Sequence, residues 1–210
     1  MRFETTTELH ASNQSLTAVT QTIKGRKFDF RNPVPADGTA IHELVAQCPP
    51  LDLNSLYAYL LLSEHFARTS VVALQDGVLV GYVSGYVPPG RPDVLFVWQV
   101  AVHQKGRGHG LGSRMIRHIL ASPHLSGVRH IETTVSPSNQ ASRRMFQAVA
   151  RHLDTAVREM PLFERHLFGD HGHESEPLLR IGPFRTVGRR QESCINEVTE
   201  RQAAEELMPG

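Results

Sequence analysis

Apolar and polar residues change rhythm several times along the 210-residue chain. Lys27–Arg31 alternates, the period of a half-buried strand. Pro35–Asp37 then opens a stretch to about Gln47 in which Ile41, Leu44 and Val45 share one helical face. After Pro49-Pro50, Asn54 or Ser55 stands where a cap starts a second helix, through about Ala67. Val71–Gln75 and Leu79–Val87 read as strands joined across Asp76-Gly77, a hairpin signal. Val94–Val102 is almost continuously apolar and predicts a central strand covered on both faces. A glycine-rich loop follows, then a helix over about Leu111–Ala121, a strand over Ile131–Val135 and a helix over Asn139–Ala150. Leu178–Ile181, ahead of Gly182-Pro183, predicts a last strand. Antiparallel strands first and a β-loop-α-β-α unit second predict an α+β (mixed α/β) fold: one core and a mixed sheet flanked by helices.

The two ends break the pattern. Residues 1–25, rich in Thr, Ser, Gln and Asn, read as a poorly ordered arm. Residues 185–210 read as a polar tail in which Ile195, Val198 and Leu207 would suit a short amphipathic helix. That leaves residues 26–184 as one domain. No apolar run is long enough to cross a bilayer, and no basic patch leads into an apolar stretch at the N-terminus. A cytoplasmic location is expected. Cys48 and Cys194 are too isolated for a disulfide framework. Nor is Cys48, beside two prolines, marked as an activated nucleophile.

Charge excludes one class of partner. Lys and Arg total 22 against 21 for Asp and Glu, and the two signs also balance between Phe28 and Phe184. A basic face for nucleic acid is therefore not expected.

The chemistry concentrates in Val100-Ala101-Val102-His103-Gln104-Lys105-Gly106-Arg107-Gly108-His109-Gly110-Leu111-Gly112. A buried strand runs into a loop with glycine at every second position, and the loop opens a helix. Such glycines let backbone N–H groups crowd an anion, and the helix N-terminus adds partial positive charge. Arg107 adds a charge-assisted contact at the rim. The pattern is a pyrophosphate cradle. It is not a P-loop, since no Gly-Lys-Ser/Thr follows. Gly108-x-Gly110-x-x-Ser113, with Glu132 downstream, nearly fits a dinucleotide fingerprint, but antiparallel strands precede it rather than a first βαβ strand.

Arg107-Gly108-His109-Gly110-Leu111-Gly112 resembles the R/Q-x-x-G-x-G/A motif of the GNAT acetyltransferases. The resemblance implies the acyl-CoA N-acyltransferase fold, with a mixed, mostly antiparallel sheet, and acetyl-CoA as co-substrate. It implies a cofactor site formed by Val100, Ala101 and Val102 on the strand, the loop from Arg107 to Gly112, and Asn139, with Arg143 one turn on either at a CoA phosphate or in solvent. Where many members carry a tyrosine seven residues after that asparagine, to protonate the leaving thiolate, this chain has Phe146.

A narrower set of segments is similar to the diaminobutyrate acetyltransferases: Pro50–Ser55, Tyr57–Leu62, Leu95–Val102, Glu132–Val135 and Arg180–Pro183. That likeness implies acetyl transfer to the 4-amino group of L-2,4-diaminobutyrate in ectoine biosynthesis, by a homodimer. Another acetyltransferase of this fold, or a non-catalytic acyl-CoA-binding module, would carry the same loop.

A substrate with two ammonium groups calls for carboxylates, and an attacking amine must lose a proton. Asp52, just before a helix, is an acidic candidate or simply a helix-entry cap. Glu176 and His173, three residues apart, reach one substrate atom or lie in a solvated acidic loop. His166, His171 and His173 also invite a zinc reading, which their irregular spacing opposes; no metal is expected. Trp98, the sole tryptophan, forms either a wall for the ammonium ends or plain core. Of Tyr57 and Tyr59, on different faces of the second helix, Tyr57 is expected to point its hydroxyl into the cleft and Tyr59 to enter the core. Asn139 doubles as the N-cap of its helix.

Overall fold

Strand β5 (Val94–Val102) lies at the centre of an eight-stranded sheet of order β1-β2-β3-β4-β5-β6-β8-β7, in a computed structural model that describes residues 18–169 and 173–185. The strands before it are β1 (Val19–Ile23), β2 (Arg26–Arg31), β3 (Val71–Gln75) and β4 (Val78–Tyr86). Those after it are β6 (His130–Thr134), β7 (Val157–Phe163) and β8 (Glu176–Ile181). Every pairing is antiparallel except β5 with β6. That parallel pair is short, from Val94↔His130 to Phe96↔Glu132. Beyond Phe96 the two strands part, whereas β5 remains paired with β4 as far as Val102↔Gly81. The sheet therefore opens into a cleft at its centre.

Helices α1 (Gly38–Ala46) and α2 (Leu56–His65) cover one face, packing Ile41, Leu44, Val45, Tyr59 and Leu62 on Val72, Tyr82 and Ala101. Helices α3 (Leu111–Leu120) and α4 (Gln140–His152) cover the other, with Met115, Ile116, Phe146 and Val149 in one cluster with Phe28, Val83 and Leu95. Adjacent residues such as Tyr82 and Val83 enter opposite layers, as strand alternation requires. Each fully buried aliphatic or aromatic side chain contributes about 1.5–3 kcal/mol, so this double layer is the main source of stability. Arg31 also ties β2 to the entrance of α1 through two hydrogen bonds to Asp37, at 2.7 and 2.8 Å. Burial pushes the Asp37 carboxyl up, but those bonds and the Val34 N–H outweigh it and hold the group below its ordinary range.

Three sequence expectations need correction. Val19–Ile23, assigned to the disordered arm, is strand β1, paired from Val19↔Phe30 to Ile23↔Arg26. It is an edge strand with only Ile23 buried, so its polar composition gives no apolar rhythm. Strand β7 was likewise not expected. Finally, β5 is not covered along its whole length: Val94, Leu95, Val97, Gln99 and Ala101 are buried, while Phe96, Val100 and Val102 are half-buried and Trp98 is exposed. The tail beyond Arg185, with Cys194 and the candidate helix, lies outside the described residues, as does His171.

Candidate active site

The less covered stretch of β5 around Trp98 forms the floor of a cleft of about 900 Å³. Phe96, Trp98 and Val100 line it from β5; Glu132 and Thr134 face it from β6. A register shift between Ser84 and Gly85 sets Gln99 opposite Ser84 and Val97 opposite Gly85, leaving Trp98 as the extra residue of a bulge. Trp98 is 46% exposed, so it is cleft wall rather than core. Gly85 permits this crowding, because a Cβ there would stand 2.8 Å from the Phe96 carbonyl oxygen.

Backbone direction follows from the same register. The His103 N–H donates to the Val80 carbonyl at 2.9 Å, so alternate residues Ala101 and Gln99 turn their polar backbone towards β4. Val100 and Val102 then turn theirs towards the gap left by β6. The Val102 carbonyl accepts from Arg107 Nε at 3.1 Å, which folds the arginine back over its own loop.

At the far end of β5, Gly108 and Gly110 take φ of +77° and +66°, the left-handed region that favours glycine. Gly110 is the N-cap of α3 and offers no side chain, so the first-turn N–H groups of Leu111 and Gly112 remain open donors. These donors, at the positive end of α3, fit a pyrophosphate. Gly112 meets a different need: a Cβ there would lie 2.6 Å from Met145 Sδ and 3.3 Å from Val100 Cγ1. His109 bonds the Arg107 carbonyl through Nδ1 at 2.8 Å and tilts over Phe28. Asn139 caps α4, its Oδ1 accepting from the Ser142 N–H at 3.1 Å, and also lines the cleft. Arg143 does not sit free in solvent: Glu159 on β7 and the Val135 carbonyl engage its guanidinium.

On the opposite wall, His173 Nε2 stands 3.6 Å from Asp52 Oδ2, bringing together two residues 121 positions apart in sequence (173 − 52). Its Nδ1–H donates to the Glu174 carbonyl at 3.0 Å, and its ring stacks on Phe168 at 4.2 Å. That carbonyl, aided by the charges of Glu176 and Asp52, holds the His173 imidazolium above the ordinary histidine range against partial burial. Glu176 opens β8 and accepts from Thr134 Oγ1 at 2.6 Å, a bond that spans the β6–β8 pair.

Tyr57 does not join them. Its side chain is 66% exposed, and it does not line the cleft. Tyr59 is fully buried, as expected, but with a polar task that sequence reading missed. Its hydroxyl donates to Gln99 Oε1 at 3.3 Å and accepts from the Asn54 N–H at 3.3 Å. Gln99 Nε2 then donates to the Asp52 carbonyl at 2.8 Å. This buried chain fixes the Asp52 segment over β5. Phe146 is buried at the cleft floor, with no hydroxyl to offer.

Glu132 is not placed as a ribose ligand. It is 1% exposed and paired with Arg91 at 2.9 Å and Arg180 at 2.6 Å, in a sheet that is not a dinucleotide-binding βαβ array. Among the described residues no three His, Cys, Asp or Glu side chains converge in a metal-binding arrangement.

This geometry agrees with what the chain is similar to. Residues 39–150 match the model of the acetyltransferase (GNAT) family. An L-2,4-diaminobutyric acid acetyltransferase of Bordetella parapertussis is 55% identical over 168 residues, covering 80% of this chain and 90% of the relative. The chain belongs to the diaminobutyrate acetyltransferases of the GNAT family. Another relative with that name, from Halomonas elongata, is 45% identical over 75% of this chain and 82% of its own. The diaminobutyrate acetyltransferase of Paenibacillus lautus, solved with L-2,4-diaminobutyric acid and coenzyme A, is 41% identical with a TM-score of 0.73, covering 76% of this chain and 97% of its own. The fold reaches further. A ribosomal-protein-S18-alanine N-acetyltransferase of Escherichia coli matches at a TM-score of 0.55 and 14% identity, over 75% of this chain and 94% of its own.

Proposed function

We infer that this diaminobutyrate acetyltransferase transfers acetyl from acetyl-CoA to the 4-amino group of L-2,4-diaminobutyrate. The product is N4-acetyl-L-2,4-diaminobutyrate, and the step belongs to ectoine biosynthesis. The observation that carries the reading is the 55% identity to a curated relative of that name across 90% of the relative's length. The cleft chemistry supports it. Besides Glu132, which two arginines neutralise, Asp52, Glu174 and Glu176 set three carboxylates around a space suited to a doubly cationic amino acid.

The chain's own groups suggest the following division of work. The cradle from Arg107 to Gly112 holds the CoA pyrophosphate, and the β5 backbone at Val100 and Val102 runs alongside the pantetheine arm. The substrate's 4-ammonium has a pKa of roughly 10, so freeing it at pH 7 costs about 4 kcal/mol. Glu176, held by Thr134, and Asp52 draw the ammonium ends in, and Trp98 gives them a π face. The His173–Asp52 pair takes the proton through water. The neutral amine then attacks the thioester carbonyl while the β5 backbone near Val100 polarises its oxygen; C–N forms and C–S breaks. With Phe146 buried and Tyr57 outside the cleft, water returns a proton to the thiolate.

Two further properties go with this reading. The enzyme works as a homodimer, supported by the apolar edge strand β7, where Met160, Leu162 and Phe163 are 38–43% exposed. It acts in the cytoplasm; no helix among the described residues is long and apolar enough to cross a membrane. The functional test is free-thiol release from acetyl-CoA with L-2,4-diaminobutyrate, with the product assigned by NMR and ornithine and lysine as length controls. Acetyl on N4 is expected. Silence with diaminobutyrate despite CoA binding would overturn the assignment.

A further inference from the structure

Resting on the reading that the loop from Arg107 to Gly112 holds the CoA pyrophosphate, we propose that Lys24 is a positioning residue for that cofactor. From the β1–β2 hairpin it locks the Gly108–His109 peptide, so that the His109 N–H is kept as a donor to the pyrophosphate. The hairpin is tight: the strands pair from Val19↔Phe30 to Ile23↔Arg26, and only Lys24 and Gly25 connect them. Both take positive φ, +48° and +77°, as a type I′ turn requires. Asparagine, aspartate or glycine is the usual residue at the first of these positions. Lysine is an unfavourable choice, because a Cβ at positive φ crowds the following carbonyl. A turn that retains it points to a use for its side chain.

That side chain crosses to the glycine loop. Lys24 Nζ donates to the Gly108 carbonyl at 2.9 Å, across 84 positions of sequence. Arg26, on the other side of Gly25, donates through Nη1 to the Lys105 carbonyl at 3.2 Å. The hairpin thus grips the loop at two carbonyls. It is itself anchored, with Ile23 and Phe28 buried in one cluster with Met115 and Ile116 of α3. His109 leans on the same Phe28, their ring centroids 6.1 Å apart.

A held carbonyl fixes the amide behind it. In a trans peptide the C=O and the next N–H point in opposite directions, so Lys24 on the Gly108 oxygen turns the His109 N–H away from the hairpin. Among the described residues no acceptor meets that N–H. It joins the N–H groups of Leu111 and Gly112 as an open donor of the loop. The hold is needed because Gly108 supplies none: its φ is +77°, and a Cβ built on it would meet nothing within 4 Å. A glycine so unhindered lets its peptide turn over, which would present a carbonyl where a phosphate needs a donor. Arg26 cannot do the same work, because the amide behind its carbonyl, the Gly106 N–H, already donates to the His103 carbonyl at 2.8 Å. Charge acts in the same direction. Residues 24–27 and 103–110 carry Lys24, Arg26, Lys27, Lys105 and Arg107 without one carboxylate, in a chain of formal charge +1. The hairpin therefore also raises the positive potential that an anion meets at this loop.

The test measures CoA and dephospho-CoA affinity by calorimetry, which needs no amine substrate, and then turnover of acetyl-CoA with L-2,4-diaminobutyrate. Lys24→Asn is the decisive variant, because asparagine suits the turn but cannot reach the loop. It should keep or raise the thermal midpoint, yet weaken CoA binding and raise KM for acetyl-CoA by about 3–10-fold. Its kcat and its KM for diaminobutyrate should hold, as when an interaction equal in ground and transition states is removed. Lys24→Arg, which keeps a donor, should restore most of the affinity. Unchanged CoA affinity in Lys24→Asn, or a loss that falls on kcat instead, would overturn the role of Lys24. So would a loss seen with CoA and absent with dephospho-CoA, since Lys24 would then grip the 3′-phosphate directly rather than position the loop. Wild type that binds CoA but leaves diaminobutyrate untouched would overturn only the substrate reading. Wild type that fails to bind CoA would overturn the pyrophosphate reading and this role with it, so the failures are distinct.

Discussion

Glu132 has two guanidinium groups against it and almost no exposure, whereas Glu176 accepts one threonine hydroxyl and stays open to the cleft. Residue type alone does not separate these two carboxylates; their neighbours do. A carboxylate neutralised twice is a brace, and one with spare acceptors is free to meet an ammonium. His173 is defined in the same way. Its imidazolium is held above the ordinary histidine range by the Glu174 carbonyl, with Glu176 and Asp52 adding to it. In the proposed role of proton acceptor it works only when neutral, so kcat/KM should climb with pH and break at a value above about 6.5. His173→Gln should lose that break and lower kcat by about 10²-fold or more, leaving KM for acetyl-CoA alone. A wild-type profile flat between pH 6 and 8 would remove His173 from the proton route. The linkage sign is opposite for stability. A raised folded-state pKa stabilises below the unfolded value near 6.5, and that contribution is lost as pH rises through the folded pKa.

Elements that read clearly in sequence are those whose pattern has a single cause. β5 spans Val94–Val102, as its apolar run predicts, and α2 begins after Ser55, whose Oγ accepts from the Ala58 N–H at 3.3 Å. The glycine loop was legible as a cradle, but its even spacing hides two causes. Gly108 and Gly110 are needed for positive φ, and Gly112 for room against Met145. Gly110→Ala should therefore cost about 1 kcal/mol by thermal or denaturant unfolding, with no clash to add to it, since a Cβ there meets nothing within 4 Å. Gly110→Asn should recover part of that cost; equal losses for both variants would show that φ is not the issue. β7 was hidden for a physical reason: it is an exposed edge strand with charged Arg158 and Glu159, and Pro161 interrupts it at a register shift between Met160 and Phe163. The site was half legible. Asp52, His173, Glu176 and Trp98 could be picked as chemistry-bearing residues next to recognisable elements. Arg91, Thr134, Gln99 and Tyr59 could not, because their roles exist only through partners brought together by the sheet.

At the scale of the whole molecule the two sheet edges are treated differently. The β1 edge is polar, with Thr20 Oγ1 bonded to Asp29 and the following turn pinned by Lys24 Nζ to the Gly108 carbonyl at 2.9 Å. The β7 edge instead exposes Met160, Leu162 and Phe163, and Leu167 beyond it is 60% exposed. An apolar edge strand left open invites pairing with another chain, so a protein that keeps one exposed normally covers it. Leu162 and Phe163 also line the active cleft, so covering this edge would close one rim of the site. A dimer through β7, as proposed, would thus give the exposed edge a catalytic use. Light scattering at micromolar concentration should report twice the mass of one chain. Met160→Glu with Leu167→Glu, at two positions outside the cleft lining, should shift the protein to monomer and raise KM for diaminobutyrate more than for acetyl-CoA. A monomeric wild type, or a double variant that stays dimeric with unchanged KM, would place the assembly elsewhere and leave the β7 edge without this role.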